Sequence, residues 1–199
     1  MTKYRTCVYI DGFNFYHSIE EQIKDGICYY PSLRMLCKNI LESIVDQEHI
    51  LGEIHYCTAL VESTKVDPTK LDRQKAYISA LKDKDEDVKI HYGNFVWSRR
   101  LNRRVEKRSD VNLAVHLLND AWLDKYNFAV IISGDADYLE AVRMVKKTFP
   151  GKPEKIIEVW AVGQIANDLV GAADKCRTIT DTDLVRAKPI ANFGFHPRR

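Results

Sequence analysis

Apolar residues along the chain alternate between short strand-like runs and longer segments with helical spacing. The strand-like runs are Thr6–Ile10, Ile54–Leu60, Val88–Trp97, Phe128–Ile132, Lys155–Val162 and an edge strand at Cys176–Ile179. The run at 128–132 (FAVII) has no polar face, which is typical of a central strand in a parallel sheet. We therefore expect a sheet that is covered on both faces.

Between these runs, apolar positions recur with the spacing of amphipathic helices. The predicted helices are Phe13–Ile23, Ser32–Val45, Pro68–Leu81, Asp110–Lys125, Asp137–Thr148 and Ile165–Ala172. Ser32 and Ser109 are the predicted N-caps of the second and fourth helices, and Pro68 suits a first helical turn. Asp137 with Glu140 three residues later predicts a capping box.

Strands that alternate with helices predict parallel βαβ units with right-handed crossovers. The fold class is therefore α/β, with helices on both faces of one mainly parallel sheet. A length of 199 residues fits one domain. We predict a domain over 1–186 and a basic tail or loosely docked arm over 187–199, where two prolines and three basic residues lie.

Composition narrows the class of protein. The chain is 45% hydrophobic and 29% charged, as folded globular proteins are. No apolar run approaches the roughly 18 residues of a membrane span, and the first apolar segment is too short for a secretory signal. Five cysteines without a C-x-x-C pair indicate reduced thiols with no metal or disulfide role. We expect a cytoplasmic protein with no membrane partner.

Acidic residues stand where α/β sheets bind ligands, at the carboxyl ends of the strands. Asp11 follows the first strand, Asp135 and Asp137 follow the fourth, and Asp110 begins the preceding helix. Two unit charges about 5 Å apart repel by roughly 3 kcal/mol at an effective dielectric near 20. Four converging carboxylates would therefore take up a proton or hold a cation. Their hard oxygens suit Mg²⁺ or Mn²⁺, and such a metal can activate water for phosphodiester cleavage.

Residues next to these acids have candidate roles as well. Asn14 and Ser133 are expected to hydrogen-bond a metal-bound water or a phosphate oxygen, and Gly134 to let the backbone approach the site closely. Structural explanations stay open for the acids, since Asp-Gly is a common turn dipeptide and Asp110 suits a helix first turn. Asp135 is the acid for which the sequence offers the weakest structural reason.

A basic stretch leads directly into the helix that Asp110 begins. The net charge of the chain is only +2, but this stretch holds six positive residues against one negative, Glu106. The positive residues are Arg99, Arg100, Arg103, Arg104, Lys107 and Arg108. Such a stretch beside an acidic metal site would hold a nucleic-acid backbone, and Trp97 would stack on a base. A solvated loop or hairpin with no ligand is the alternative.

The sequence contains no pattern that is typical of zinc binding, nucleotide binding or serine hydrolysis. His17 and His116 lie on predicted helices without zinc-like spacing nearby, and we interpret both as structural or surface groups. No phosphate-binding loop ends in Lys-Ser/Thr, and no G-x-S-x-G is present, so neither a nucleotide cofactor nor a serine hydrolase is predicted.

Four segments together carry a family resemblance that runs from about residue 5 to 180. They are VYIDGFNFY (8–16), KRSDVNLAVHLL (107–118), VIISGDADYLEAV (130–142) and LVGAADKCRTI (169–179). They resemble the NYN domain family, in the LabA-like branch of the PIN-like ribonuclease superfamily. The resemblance implies a three-layer α/β/α fold and RNA cleavage with Mg²⁺ or Mn²⁺. The matching site positions are Asp11, Asn14, Asp110, Asp135 and Asp137. Related domains often pair, so a homodimer is one expected arrangement.

His116 departs from the family pattern. Many relatives carry an Asp at this position, six residues after the aspartate at 110. Six residues turn a helix by roughly 240°, so the two positions need not share a face. The change could weaken metal binding, and it is the main support for an alternative to a metal-dependent ribonuclease. That alternative is a non-catalytic RNA-binding or regulatory module. A haloacid-dehalogenase-like phosphatase is disfavoured, because Phe13 stands where its second aspartate is needed.

Overall fold

The computed structural model describes residues 2–22, 30–45, 47–63, 65, 67–100, 102–147 and 154–190, without the side chains of 2, 20–22, 103, 105 and 106. Eight strands lie in this part of the chain. They are β1 (Thr2–Asp11), β2 (Gln47–Thr58), β3 (Val88–Tyr92), β4 (Asn94–Ser98), β5 (Arg103–Lys107), β6 (Phe128–Ile132), β7 (Ile156–Ala161) and β8 (Lys175–Thr178). Six of them form one sheet in the order β3-β2-β1-β6-β7-β8.

The six-stranded sheet is parallel between all neighbours. Helices connect its strands, and a 3₁₀ turn lies at Ala136–Tyr138. The helices are α1 (Gly12–Gln22), α2 (Leu33–Glu42), α3 (Lys70–Lys84), α4 (Ser109–Trp122), α5 (Leu139–Lys146), α6 (Asn167–Ala172) and α7 (Asp181–Arg186). The predicted α/β class with a mainly parallel central sheet is confirmed.

The hydrophobic core is divided between the two faces of the sheet. Along β1, Val8 and Ile10 belong to one buried cluster, which includes side chains of α1, α2, α3 and α7. Cys7 and Tyr9 belong to the other, which includes side chains of α4, α5 and α6. Successive strand residues point to opposite faces, so β1 contributes to both clusters. The result is three layers, α/β/α.

Strand order reverses at the centre of the sheet. From β1 the chain builds β2 and β3 to one side, and from β6 it builds β7 and β8 to the other. Neighbouring β1 and β6 therefore send their connecting segments in opposite directions, which opens a crevice at their carboxyl ends. Asp11 ends β1, and Ser133 directly follows β6.

Two predictions about the segment before α4 are wrong. The predicted strand Val88–Trp97 is broken at Gly93, whose N–H donates to Thr58 O over 2.8 Å. After this break β4 leaves the sheet and pairs antiparallel with β5, so the basic stretch forms a hairpin, one of the two forms that the sequence left open. Ser109 is the first residue of α4, not its cap. Arg108, with a left-handed φ of 82°, holds the cap position.

The starts of α2 and α5 show whether the other predicted caps are correct. Ser32 is confirmed as the cap of α2, since its Oγ accepts the Met35 N–H over 3.1 Å. The predicted capping box at Asp137 is wrong. The cap of the 3₁₀ turn is Asp135, and α5 starts later, at Leu139. The 3₁₀ turn thus takes over the start of the predicted helix, whose end at residue 148 lies outside the described residues.

The first four residues of the predicted tail pack against the domain. Ala187 and Ile190 are buried in the cluster on the α2 face. The Ser32 N–H donates to Lys188 O, and the Ile190 N–H donates to Tyr30 O. Residues 191–199 lie outside the described part of the chain. Among the described residues, no helix combines the length and apolar character that crossing a bilayer requires.

Candidate active site

Asp11 is the centre of the hydrogen-bond network at the carboxyl end of β1. Its side chain is buried, and Oδ1 accepts the N–H groups of Phe13 and Asn14, both over 3.0 Å. Its Oδ2 accepts the Tyr138 hydroxyl at 2.6 Å and the Ser133 hydroxyl at 3.3 Å. Burial raises the pKa of Asp11, while these four donors act to lower it. Each carboxylate oxygen accepts about two hydrogen bonds, so protein donors fill its acceptor positions.

Tyr138 joins two of the predicted site carboxylates. Its hydroxyl lies 2.6 Å from Asp11 Oδ2 and 3.1 Å from Asp110 Oδ1. Burial and the charge of Asp11 raise the pKa of Tyr138 well above its usual value, so the phenol stays protonated. One hydroxyl has one proton, and the shorter distance assigns it to Asp11. The contact with Asp110 is therefore the longer and weaker of the two.

The loop after β6 brings the remaining predicted residues to the same edge. Ser133 Oγ accepts the Asp135 N–H over 3.1 Å, and Asn14 Oδ1 accepts the Gly134 N–H over 3.0 Å. The side chains of Asp135 and Asp137 are exposed to solvent. Asp135 also has a structural role that the sequence did not indicate, because its Oδ1 accepts the Asp137 N–H over 3.2 Å and caps the 3₁₀ turn.

Gly134 lies where two loops of the protein cross. A Cβ at this position would collide with the backbone carbonyl of Gln164. The same loops are joined by the Ala166 N–H, which donates to Gly134 O over 3.0 Å. The glycine therefore permits two loops of the protein to cross closely. In the structure, its absent side chain makes room for the protein's own backbone.

The hairpin β4–β5 carries the basic stretch beside this network. Near the start of β4 the hairpin lies next to α1. The ring of Phe95 on β4 and the ring of Phe13 on α1 have centroids 6.2 Å apart. Trp97 is 54% exposed. Arg104 is paired with Glu62, while the side chain of Arg103 lies outside the described part. The other positive residues of the stretch are all exposed: Arg99, Arg100, Lys107 and Arg108.

Comparison with protein-family models supplies the identification. The model of the NYN domain matches residues 5–180. The chain belongs to the NYN domain family. An NYN domain is a PIN-like, nuclease-type module, which agrees with the three-layer architecture. Membership in the LabA-like branch stays a prediction.

A solved structure shows the same fold as this NYN domain. It is the crystal structure of a protein of unknown function from Vibrio parahaemolyticus, with a TM-score of 0.63 and 15% sequence identity. The match covers 92% of this chain and 96% of the other. At this identity the likeness concerns the fold alone. A search of curated proteins finds no match.

An aromatic cavity opens beside the start of α1 in the NYN domain. Tyr56 and Tyr77 form its buried wall, and Gln74, whose amide is bonded to the backbone of Val61 and Ala59, also lines it. Lys70 lies 5.5 Å from the centre of the Tyr16 ring. Flat aromatic walls with a few polar groups suit a planar ring such as a nucleobase.

The sequence did not predict two features near the acidic network, the bridging tyrosine hydroxyl and a cluster of histidines. The hydroxyl of Tyr138 bridges two acids, although nothing in the local sequence distinguishes it from a buried core tyrosine. His116, interpreted as structural or surface, lies in a cluster with His55 and His91. These three histidines come from three separate elements, so no local spacing could have revealed them.

Proposed function

We propose that this NYN domain is a metal-dependent ribonuclease that cleaves RNA phosphodiester bonds. The observation that carries the proposal is the position of Asp11 and Asp110 on one tyrosine hydroxyl, at the switch point of the sheet and beside the basic hairpin. Family membership supports a nuclease-type module. The proposed catalytic and metal-binding residues are Asp11, Asp110, Asp135 and Asp137.

The donor set suits Mg²⁺ or Mn²⁺. All four side chains are carboxylates, and hard oxygens are the ligands that these cations prefer. Asp110 and Asp11 both lie within hydrogen-bond distance of the Tyr138 hydroxyl, so two of these carboxylates are close together. Such a cation, when bound, supplies a water of lowered pKa and neutralises charge on the phosphate. Asp135 and Asp137 are exposed, so their oxygens reach solvent and substrate.

The chain's other residues hold RNA and keep the carboxylates in place. Asn14 and Ser133 connect α1 to the loop after β6, and we assign them to orienting the substrate. The hairpin residues Arg99, Arg100, Arg103, Arg104, Lys107 and Arg108 bind the RNA backbone. Trp97 stacks on one base, and the aromatic cavity receives another.

Asp135→Asn tests the proposal, because it removes a charge while keeping the side-chain oxygen that caps the 3₁₀ turn. With Mg²⁺ or Mn²⁺, RNA cleavage should fall at least about 100-fold, the lower range for loss of an acid–base group. Mg²⁺ should raise the melting temperature of the unmodified protein more than that of the variant. Asp83→Asn, at an exposed position on α3, is the matched control and should change neither readout.

A non-catalytic RNA-binding module is the second candidate. Protein donors already fill the acceptor positions of Asp11. Among the described residues, the groups that bring three ligand atoms within 4.8 Å of one another contain histidine, and the four aspartates form no such group. This candidate predicts RNA binding that falls with salt, survives Asp135→Asn and leads to no turnover. Cleavage that depends on Asp135 rejects it.

A further inference from the structure

Three histidines meet on the face of the sheet that α4 covers. His55 lies on β2, His91 on β3 and His116 on α4, and one ring nitrogen from each lies within 4.8 Å of the other two. Nδ1 of His55 is 2.9 Å from Nε2 of His91. His55 is buried, whereas His91 and His116 are half-buried. The cluster is therefore closed toward the core and open toward solvent.

A buried carboxylate stands behind the cluster. Asp120, one helical turn after His116 on α4, places Oδ2 at 3.0 Å from Nε2 of His55. The Tyr9 hydroxyl donates to the same Oδ2 over 3.1 Å. Histidines that bind metals regularly have a carboxylate at the other ring nitrogen, because it orients the ring and makes the ligating nitrogen more basic. Nε2 of His55 has no well-aligned hydrogen bond at present, so this pair would gain from a small rotation of the ring.

We propose that His55, His91 and His116 bind a divalent transition metal of the zinc class. Imidazole nitrogen suits Zn²⁺, and three protein ligands leave a fourth position for water. Mg²⁺ prefers oxygen ligands, so the cluster differs in metal preference from the four aspartates. The inference does not depend on the proposed ribonuclease activity.

The neighbouring side chains favour Nδ1 of His55, rather than Nε2, as the nitrogen that would bind the metal. Glu53, His55 and Asp120 form a second group of three potential ligands. Lys125 already occupies that side, with Nζ 3.1 Å from Glu53 and 3.0 Å from Asp120. An ammonium group there repels a metal cation. The side of Nδ1, which faces His91, has no such cation among the described contacts.

The histidine rings lie close together and are partly withdrawn from solvent. Burial, with the neighbouring His116 and His55, lowers the pKa of His91 to about 4. Burial and His55 also lower the pKa of His116. Without a metal, the cluster is a set of close-lying rings, with His91 and His116 centroids 3.7 Å apart.

The cluster lies close to the acidic network. In the register of β1 and β2, Tyr9 pairs with His55 and Asp11 pairs with Cys57. His55 and Cys57 are two residues apart on the same face of β2, a separation of roughly 7 Å. A metal at the histidines would therefore also lower the cost of burying the charge of Asp11 nearby.

The test uses the full chain, stripped of metal and then titrated with Co²⁺ and Zn²⁺. We expect one equivalent of Co²⁺ to give the visible absorption of a four-coordinate site and Zn²⁺ to displace it. His91→Ala and His116→Gln should each weaken Zn²⁺ affinity by more than the roughly 10- to 100-fold that losing a carboxylate behind a ligand costs. Asp120→Asn should weaken it roughly 10- to 100-fold.

Two matched controls separate this site from its surroundings. His17→Gln changes a histidine outside the cluster, and Asp135→Asn changes the acidic network. Both should keep Co²⁺ absorption and Zn²⁺ affinity. The proposal is overturned if the unmodified chain binds neither metal, or if both histidine variants bind as the unmodified chain does. Binding that is lost in Asp135→Asn but kept in the histidine variants also overturns it and places the metal at the aspartates. Metal binding by the unmodified chain can be measured even if a variant fails to fold.

Discussion

At the scale of single residues, the Tyr138 hydroxyl connects two carboxylates of the acidic network. It donates to the buried carboxylate of Asp11 and contacts Asp110. Burial raises the pKa of Asp11, so the folded state binds a proton at this group more readily than the unfolded state. The contribution of Asp11 to stability therefore rises as the pH falls from neutral, until the unfolded carboxyl is protonated near pH 4.

Tyr138→Phe should destabilise the protein most where Asp11 is charged. The variant leaves a buried carboxylate without its shortest hydrogen bond, and the expected loss at neutral pH is roughly 1–3 kcal/mol. The loss should shrink toward pH 5, because a protonated Asp11 needs fewer donors. Denaturant unfolding at several pH values measures it.

Tyr126→Phe is the matched control for this pH dependence. The Tyr126 hydroxyl is also buried and donates to a neutral acceptor, Leu117 O, over 3.0 Å. Its loss should be similar at pH 5 and pH 8. If the Tyr138 and Tyr126 variants show the same flat dependence, the coupling between Tyr138 and Asp11 is absent.

Gly134→Ala should destabilise the fold at the crossing of two loops. The added methyl group meets the Gln164 carbonyl, and backbone cannot move aside as a flexible side chain can. Overpacking of this kind costs roughly 1–3 kcal/mol. Gly171→Ala is the control, since nothing lies within 4 Å of its added Cβ. Equal melting temperatures for the two variants would contradict the stated reason for the glycine.

At the scale of elements, the hairpin β4–β5 is the feature that the sequence pattern described least well. The alternation through Val88–Trp97 continues across Gly93, although the sheet ends there. The Gly93 N–H bonds to Thr58 O at the end of β2, after which the chain turns away. The basic residues therefore lie on a separate two-stranded hairpin, which begins next to α1 and ends where α4 starts.

Arg99→Ala combined with Arg100→Ala should weaken RNA binding and reduce its dependence on salt. Both side chains are exposed in the turn of the hairpin. Each lost phosphate contact should lower the slope of log affinity against log salt by about 0.7 for a single strand. Fluorescence anisotropy with single-stranded RNA at several salt concentrations measures this slope.

Lys38→Ala combined with Lys75→Ala removes the same charge from exposed positions on α2 and α3. This double variant should keep the salt slope of the unmodified protein. An equal effect from both pairs would mean that RNA responds to net charge rather than to the hairpin.

At the scale of the whole molecule, the packed domain extends past the predicted boundary at residue 186. Ala187 and Ile190 are buried, and Lys84 Nζ donates to Ile190 O over 2.7 Å. A chain that ends after Arg186 should be less stable than one that ends after Ile190. Burying one Ile contributes roughly 1.5–3 kcal/mol, and thermal unfolding of the two truncated chains measures the difference. Equal stability would mean that the contacts of 187–190 contribute nothing.

A homodimer stays a prediction.

The sequence by itself determined the family and most of the succession of strands and helices, although it missed β5 and α7. Periodicity reports which side of an element is apolar, and this local property located the buried strand Phe128–Ile132 and the cap at Ser32. The order of acids after strands also placed Asp11 and Asp135 at one edge, because parallel strands end together.

Only the tertiary structure decided which distant side chains meet. The histidines at 55, 91 and 116 lie on three elements, and the Tyr138 hydroxyl reaches acids 127 and 28 residues away. The collision that makes Gly134 necessary comes from a loop 30 positions later, at Gln164. Local propensity and spacing contain no information on such contacts, since they depend on how the sheet twists and how helices pack on it. Both proposed metal sites therefore depend on contacts that form only in the folded molecule.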